Sequence, residues 1–253
     1  MKLAEQDTIR VNYQQTLAKI AEAARRAGRD PVEVKLVVVT KGHPLAVVQD
    51  AIAAGARCFG ENYADEGAAK IAALKRKGKL EWHMIGHVQS RKARLVCENF
   101  DYLHSLDSLK LAERLNRFAA DSGRKLPVLL ECNMSGEASK FGWAAWDERS
   151  WDALEAEFAR TLELPNLHVR GLMTMAPFFF ESEPARPYFR SLRRLRDQLA
   201  RRLPAGSWDE LSMGMSGDFE VAIQEGATLV RIGTAILGAR QIVHTKTELG
   251  GQG

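Results

Sequence analysis

Lys41 occupies a position in the sequence where a lysine can do covalent chemistry. It directly follows the run VKLVVVT, residues 34–40, whose β-branched side chains are typical of a buried strand. Burial disfavours the ammonium form and lowers the pKa of a lysine, so the neutral amine can form a Schiff base with a carbonyl. A lysine that simply reaches solvent at the end of a strand is the more common case, and position alone leaves both interpretations open.

Two later segments of the chain combine small residues with hydroxyl groups. They are residues 212–218, with the sequence SMGMSGD, and residues 230–235, with the sequence VRIGTA. Glycines let backbone N–H groups approach an anion closely, and serine or threonine hydroxyls add further donors. The residues with these properties are Ser216, Gly217, Gly233 and Thr234. A phosphate site is therefore one interpretation, and tight turns with a capping serine are the other.

Arg231 lies between apolar neighbours in the second of these segments, where an arginine is costly to bury unless an acid or a ligand pairs with it. Pyridoxal 5′-phosphate (PLP) offers an aldehyde for Lys41, a phosphate for the two segments that contain Ser216 and Thr234, and a ring nitrogen for Arg231. These three features together predict one shared ligand, PLP.

Other polar residues indicate chemistry less strongly. Asn62 follows an apolar run and could cap a helix or hydrogen-bond to a ligand oxygen. His83 and His87 would lie about 13 Å apart on a strand, too far for one metal ion. We therefore predict no metal site and expect His83 to be a hydrogen-bonded interior residue. Cys132 is expected to be a small core residue, because no base near it can be assigned.

Strand-like and helix-like segments alternate along the chain and predict the elements that position these residues. An amphipathic helix opens the chain, with apolar residues at Ile9, Leu17 and Ile20, and Gly28 ends it. Eight strands are predicted, over residues 34–40, 57–60, 81–86, 102–106, 127–133, 169–175, 210–214 and 229–233. Helices are predicted over residues 45–55, 62–77, 90–99, 108–122, 147–162, 184–203 and 218–226.

This alternation predicts an α/β fold, a single (β/α)8 TIM barrel with an extra N-terminal helix. The rival is an open doubly wound sheet, which normally has a glycine-rich turn after its first strand, and residues 40–44 read TKGHP instead. We expect residues 1–240 to form the barrel and residues 241–253 to be a flexible tail. In such a barrel the C-terminal ends of the strands carry the functional groups.

Composition excludes several classes of protein. Thirty-six Lys and Arg against 32 Asp and Glu give a net charge of +4, too small to indicate a nucleic-acid partner. No apolar run approaches the roughly 20 residues of a membrane helix, and the N-terminus lacks the apolar core of a signal peptide. Three widely spaced cysteines form no disulfide framework. We expect a cytoplasmic protein with no membrane and no nucleic-acid partner.

Several stretches together resemble the pyridoxal-phosphate homeostasis proteins, which are relatives of the N-terminal barrel of alanine racemase. These stretches occur in order between about residues 34 and 240, and they read VVVTKGHP, FGENYADEG, WHMIGHVQSRKARLV, NMSGEASKFG, VRGLMTM, LSMGMSGDFEVAI and VRIGTAILGAR. The resemblance implies a single barrel of PLP fold type III that carries PLP as a lysine aldimine. The sequence departs from the family pattern at Arg91, where an Asn is common, and at Ala227, where a Ser is common.

The resemblance also assigns roles to individual residues. Lys41 is implied to be the Schiff-base lysine and Arg231 the partner of the pyridine nitrogen. The implied phosphate ligands are Ser216, Gly233 and Thr234. Asn62 and Met215 match positions near the cofactor.

The implied function is that of a PLP carrier or regulator in intracellular vitamin B6 homeostasis. An arginine at the pyridine nitrogen leaves the ring a weak electron sink, and racemisation needs a second base that the related racemases take from a second domain. We therefore expect a monomer without efficient racemase activity, with apo PLP-dependent enzymes as its recipients. The alternative is a PLP-dependent enzyme, such as an amino-acid racemase of unknown substrate.

Two further alternatives stay open from the residues. A phosphate-sugar enzyme without PLP would use Lys41 on its substrate instead. A basic interaction module would use the helix at residues 186–202, which contains seven arginines and only one acid. Such a charged helix face is usually only solvated. The run Phe178–Phe180 and the Trp-rich segment 143–151 suggest local loop clusters more than a contact patch.

Overall fold

The computed structural model describes residues 2–74 and 80–239, with side chains from residue 6 onward. Helix α1 (Lys2–Arg26) opens the chain and buries Ile9 and Ile20, as their helical spacing predicts. The predicted tail at 241–253 lies outside the described residues. Among the described helices, none is long and apolar enough to cross a membrane.

Eight parallel strands close into a barrel, which confirms the predicted fold. They are β1 (Lys35–Val39), β2 (Cys58–Glu61), β3 (Glu81–Met84), β4 (Tyr102–Leu106), β5 (Leu126–Asn133), β7 (Leu167–Met173), β8 (Glu210–Ser212) and β9 (Leu229–Ile232). Each of these strands pairs with the ones before and after it in the chain, including β4 with β5, and the first strand, β1, pairs with the last, β9. The sheet therefore has no open edge among these strands. A two-residue strand, β6 (Trp143–Ala144), adds to the end of β5 and was not predicted, since two residues carry no readable alternation.

Helices connect the strands and cover the outside of the barrel. They are α2 (Leu45–Ala53), α3 (Ala64–Ala73), α4 (Ala93–Asn99), α5 (Leu109–Asp121), α6 (Trp151–Leu162), α7 (Arg186–Arg202), α8 (Phe219–Gln224) and α9 (Thr234–Leu237). The predicted helix at 90–99 begins with a 3-10 turn, and α9 is one turn long, too short for the sequence pattern to indicate.

The strands alternate between two cores, because successive side chains point to opposite faces of a sheet. Leu36 and Val38 of β1 pack outward against the helices, whereas Val37 points into the barrel. The interior apolar cluster is small and consists of Val37, Cys58, Tyr102, Leu129, Met173 and Leu229. Polar side chains fill much of the remaining interior, including the fully buried His83 and His104.

The arginine-rich helix α7 presents its charges to neighbouring acids. Its apolar stripe, Phe189, Leu192, Leu195 and Leu199, is buried. Five of the seven arginines pair with carboxylates: Arg186 and Arg190 with Glu225, Arg194 with Glu148, Arg196 with Asp197 and Arg202 with Glu155. This pairing is typical of a solvated helix face.

Candidate functional site

A cavity of about 270 Å³ opens at the C-terminal ends of the barrel strands. Its volume lies just below the range for small-molecule sites, about 300–1,000 Å³. All seven residues predicted from the sequence line it: Lys41, Asn62, Met215, Ser216, Arg231, Gly233 and Thr234. They come from four strand ends that the closed barrel brings together.

The backbone that carries Lys41 is held on both sides by a buried ion cluster. Lys70 of α3 donates to the carbonyl of Thr40 at 2.7 Å, and the Thr40 hydroxyl donates to Glu61 at 2.6 Å. On the other side, the backbone N–H of Gly42 donates to Glu66 at 2.7 Å. The two neighbours of Lys41 are therefore fixed, which limits where its side chain can reach.

The same cluster is compact and largely dry. The ammonium of Lys70 lies 2.7 Å from both the Glu61 and the Glu66 carboxylates, and Glu61 is fully buried. Burial raises the pKa of Glu61, while the hydrogen bonds from Lys70 and Thr40 oppose that shift. The sequence pattern assigned no role to Lys70 or Glu61. The stretch FGENYADEG contains both acids of the cluster, but only the fold brings Lys70 to them.

Asn62 is positioned by a close approach between two loops. A Cβ at Gly86 would lie 2.3 Å from the carbonyl oxygen of Asn62, so only glycine fits there. The Asn62 Oδ1 atom is buried and has no hydrogen-bond partner within the described part of the chain. An amide oxygen in this state at a cavity wall is a ready acceptor for a ligand donor.

The turn between β8 and α8 forms one side of the cavity. The backbone N–H of Met215 donates to the Asp218 carboxylate at 2.6 Å, and Asp218 N–H donates back to the Met215 carbonyl at 3.1 Å. This reciprocal pair closes the loop that contains Ser216. Burial raises the pKa of Asp218, which the Met215 N–H and the charge of Arg231 counteract.

Gly233 and Thr234 form the adjacent side, where β9 passes into α9. A Cβ at Gly233 would lie 2.9 Å from the carbonyl oxygen of Val39, so glycine allows β9 to end tightly against β1. The first N–H groups of a helix have no acceptor within the helix. This end and the β8–α8 turn thus offer hydroxyl and backbone donors to one part of the cavity.

Arg231 is 4% exposed, and its side chain lines the same cavity from inside the barrel. It donates to the Ser212 hydroxyl and, at 2.9 Å, to the carbonyl of Thr174. Burial lowers the pKa of Arg231 to about 10, and the charges of Asp218 and Glu131 limit the shift. The guanidinium therefore stays protonated at neutral pH and faces the cavity as a donor.

Glu131, near the C-terminal end of β5, is a buried acid. It is 3% exposed, and its Oε2 atom has no hydrogen-bond partner among the described residues. Burial, followed by the charge of Asp107, raises its pKa to about 7. Cys132, next to it, is buried as expected.

The two histidines in the third strand region have separate surroundings. His87 stacks on Phe141, with ring centroids 3.8 Å apart, and pairs with Asp107 at 2.8 Å. His83 is fully buried and hydrogen-bonds to His104 at 2.6 Å, which confirms the interior role expected of it.

The fold also gathers Cys58, Glu81 and His83 at the base of the barrel, a grouping that the sequence did not reveal. Their ligand atoms lie within 4.8 Å of one another, as a metal site requires. However, the ammonium of Lys35 already lies 3.0 Å from the Glu81 carboxylate, and burial raises the pKa of the Cys58 thiol. In this structure the three groups contact one another and Lys35 instead.

Of the two aromatic segments, the run Phe178–Phe180 lies at the cavity mouth. Phe178 and Phe180 are 85% and 100% exposed and contact each other edge to face, while Phe179 stacks on Tyr188. In the Trp-rich segment, Trp143 and Trp151 are buried and Trp146 is exposed. Phe178 and Phe179 also line the cavity.

Comparison with known proteins identifies the family. Residues 11–241 match the family described as alanine racemase, N-terminal domain. A pyridoxal phosphate homeostasis protein of Pseudomonas aeruginosa is 46% identical over 233 residues, covering 92% of this chain and 96% of that protein. This chain belongs to the pyridoxal phosphate homeostasis protein family.

Solved structures agree with this family assignment. PipY of Synechococcus elongatus, in a structure with PLP bound, is 39% identical to this homeostasis-family chain. The match covers 87% of this chain and 100% of PipY, with a TM-score of 0.75. An alanine racemase from Streptomyces coelicolor is 17% identical with a TM-score of 0.66, and the match covers 91% of this chain but 58% of the racemase. That likeness shows a shared barrel fold.

Proposed function

We propose that this protein binds PLP in the barrel mouth and serves as a PLP carrier in vitamin B6 homeostasis. The observation that carries the proposal is that Lys41, Arg231 and the turns that contain Ser216 and Thr234 line one cavity. The structure of a relative, PipY, has been solved with PLP bound, and this chain matches the full length of PipY.

The residues present fit the chemistry of PLP. The cavity wall contains an amine, an unpartnered buried amide oxygen on Asn62 and a buried guanidinium on Arg231. In the proposed assignment, Lys41 holds the aldehyde carbon, Arg231 donates to the ring nitrogen, and Met215 packs near the ring. The phosphate would be held by Ser216, Gly233 and Thr234. When bound, PLP supplies an electrophilic carbon and an electron-withdrawing ring.

The protein's own groups favour holding the cofactor over catalysis. Arg231 stays protonated, so it donates a hydrogen bond and gives up no proton to a ring nitrogen. The ion cluster of Lys70, Glu61 and Glu66 fixes the backbone around Lys41. A racemase also needs a second acid-base group on the opposite face of its substrate. The related racemase continues well beyond the part that this chain matches.

We further propose that the protein acts as a monomer in the cytoplasm and delivers PLP to apo enzymes. Free, buried cysteines support a reducing compartment. The exposed Phe178 and Phe180 beside the cavity offer apolar contact area where PLP would leave.

Transfer of PLP is the direct test of the proposed function. The purified protein is loaded with PLP and mixed with an apo PLP-dependent enzyme, and recovery of that enzyme's activity is compared with recovery from free PLP at the same concentration. A carrier should activate the enzyme at least as fast as free PLP does. Slower activation, limited by spontaneous release, would contradict delivery, and efficient turnover of alanine enantiomers by the pure protein would contradict a carrier role.

A further inference from the structure

A continuous line of polar side chains crosses the barrel interior from the cavity to the opposite end. Arg231 donates to the Ser212 hydroxyl, and that hydroxyl lies 2.8 Å from His104 Nδ1. His104 Nε2 lies 2.6 Å from His83 Nδ1. His83 Nε2 in turn lies 3.1 Å from the carboxylate of Glu81. Ser212, His104 and His83 are fully buried, so water cannot substitute for any of these contacts.

When both histidines are neutral, the two ends of this line determine the direction of every hydrogen bond in it. A guanidinium can only donate, and an ionised carboxylate can only accept. The hydrogen bond from His83 lowers the pKa of Glu81 to about 2, so Glu81 is ionised at neutral pH. Burial, with the positive charge of Arg231 nearby, lowers the pKa of His104 well below its ordinary value, so His104 is neutral and has one N–H.

One arrangement of hydrogens satisfies all these conditions when His83 is neutral. His83 donates from Nε2 to Glu81, so its Nδ1 is an acceptor. His104 must then donate from Nε2 to His83, which makes His104 Nδ1 an acceptor for the Ser212 O–H. The Ser212 oxygen consequently presents its lone pairs to Arg231. Each member donates once toward Glu81, and no buried donor or acceptor in the line is left without a partner.

We propose that Ser212, His104 and His83 are positioning residues, which fix the Arg231 guanidinium toward the cofactor ring through a one-way hydrogen-bond chain ending at Glu81. Ser212 holds Arg231 directly, and the histidines keep the Ser212 hydrogen pointing away from it. The effect on PLP rests on the proposed function. The direction of the chain does not, because it is a property of the protein without cofactor.

Other groups facing the chain do not interrupt it. Tyr102 stacks on His83, with ring centroids 4.9 Å apart, and donates its own hydroxyl hydrogen to Glu210. Cys58 Sγ lies 3.3 Å from His83 Nε2, and its raised pKa keeps it a thiol. Lys35 lies 3.0 Å from Glu81 and reinforces the charged form of that carboxylate.

Histidine tautomers measured on the PLP-free protein test the chain without involving the cofactor. Long-range ¹H–¹⁵N NMR spectra near pH 7.5 should show both His83 and His104 as neutral Nε2–H tautomers, assigned with the single variants His83→Gln and His104→Gln. Glu81→Leu should introduce Nδ1–H signals, because the acceptor that sets the direction is gone. Lys35→Met, which removes only the neighbouring ion pair, should leave both tautomers in place. An Nδ1–H tautomer of His104 in the unmodified protein would overturn the proposal.

PLP binding then tests the positioning of Arg231. Ser212→Ala should weaken PLP binding by roughly tenfold, the usual cost of losing a hydrogen bond to a charged group, and should shift the visible band of bound PLP. Ser212→Thr retains the hydroxyl and should restore both. Thr161→Val removes an equally buried hydroxyl from helix α6 and should change neither. If Ser212→Ala folds with the same thermal midpoint and binds PLP with an unchanged band and affinity, the positioning role is wrong even if the protein is a PLP carrier.

Discussion

The ammonium of Lys70 lies 2.7 Å from the carboxylate of Glu61, and both side chains are buried beneath the turn that carries Lys41. A buried ion pair stabilises a fold little compared with apolar side chains of equal size, but breaking one partner leaves an uncompensated charge. This pair also reaches the backbone of Thr40, so its loss affects the position of Lys41 directly.

Replacing Lys70 should therefore destabilise the protein strongly. Lys70→Met should lower the free energy of unfolding by about 3–5 kcal/mol, because Glu61 would remain buried without its partner. The double variant Lys70→Met/Glu61→Leu should recover much of that loss. Urea unfolding at pH 7 measures both, and a double variant as unstable as the single one would contradict this account.

Lys41 should be the residue that PLP modifies. The unmodified protein incubated with PLP should develop a visible band that borohydride bleaches, and mass spectrometry should find the fixed adduct on Lys41. Lys41→Ala should lose nearly all of this adduct, since the cavity's amine is gone. Lys92→Ala, a lysine that pairs with Asp65 at 2.6 Å, is the matched control and should react normally. An adduct that forms in Lys41→Ala at an unchanged rate would assign the chemistry to another amine.

The pKa of Glu131 predicts a specific dependence of stability on pH. Its folded-state pKa, about 7, lies above the ordinary value of 4.5, so the folded protein binds this proton more tightly than the unfolded chain does. The resulting stabilisation is complete below about pH 4.5 and is lost as the pH rises through 7. Its full size is on the order of 3 kcal/mol.

Glu131→Gln isolates this contribution. Relative to the unmodified protein, the variant should gain stability between pH 5 and pH 8, because the amide needs no proton. Urea unfolding at the two pH values gives the difference. A constant difference between the two proteins across this range would mean that Glu131 does not titrate there.

Gly86 should tolerate no side chain. An alanine Cβ would lie 2.3 Å from the Asn62 carbonyl oxygen, so Gly86→Ala must displace one of the two loops. We expect a loss of about 1–3 kcal/mol in unfolding free energy together with weaker PLP binding. Gly217→Ala meets nothing within 4 Å and should leave the unfolding free energy unchanged. Equal stability of the two variants would argue against the close approach.

The barrel was predicted from the sequence, and all seven residues predicted for the site line the cavity at its mouth, for a reason that lies in the fold. Parallel strands place all their C-terminal ends at one end of a barrel, so residues that follow strands meet there whatever their separation in sequence. Lys41 and Thr234 are an example, since each is the second residue after the end of its strand. The strand ends were sufficient to place Lys41 and Thr234 there without the register between strands, whereas Met215 was assigned only through the family resemblance.

The interior contacts depend on register, and the sequence pattern does not specify it. His83 contacts Cys58 because strands β2 and β3 run parallel and Cys58 is paired with Glu81. His104 meets Ser212 across the barrel, where no strand pairing connects β4 with β8. Lys70 reaches Thr40 from a helix thirty residues away in sequence. Such contacts follow from three-dimensional closure, which composition and periodicity leave open.

The hydrogen-bonded line from Arg231 to Glu81 has a consequence for how this barrel can change over evolution or by design. Each member is the hydrogen-bond partner of the next. An apolar replacement of His104 alone therefore leaves a donor on Ser212 and an acceptor on His83 without partners. Replacing the neighbours at the same time removes that penalty. Mutational effects at these positions should therefore be strongly non-additive, and redesign of the interior has to exchange the group as one unit.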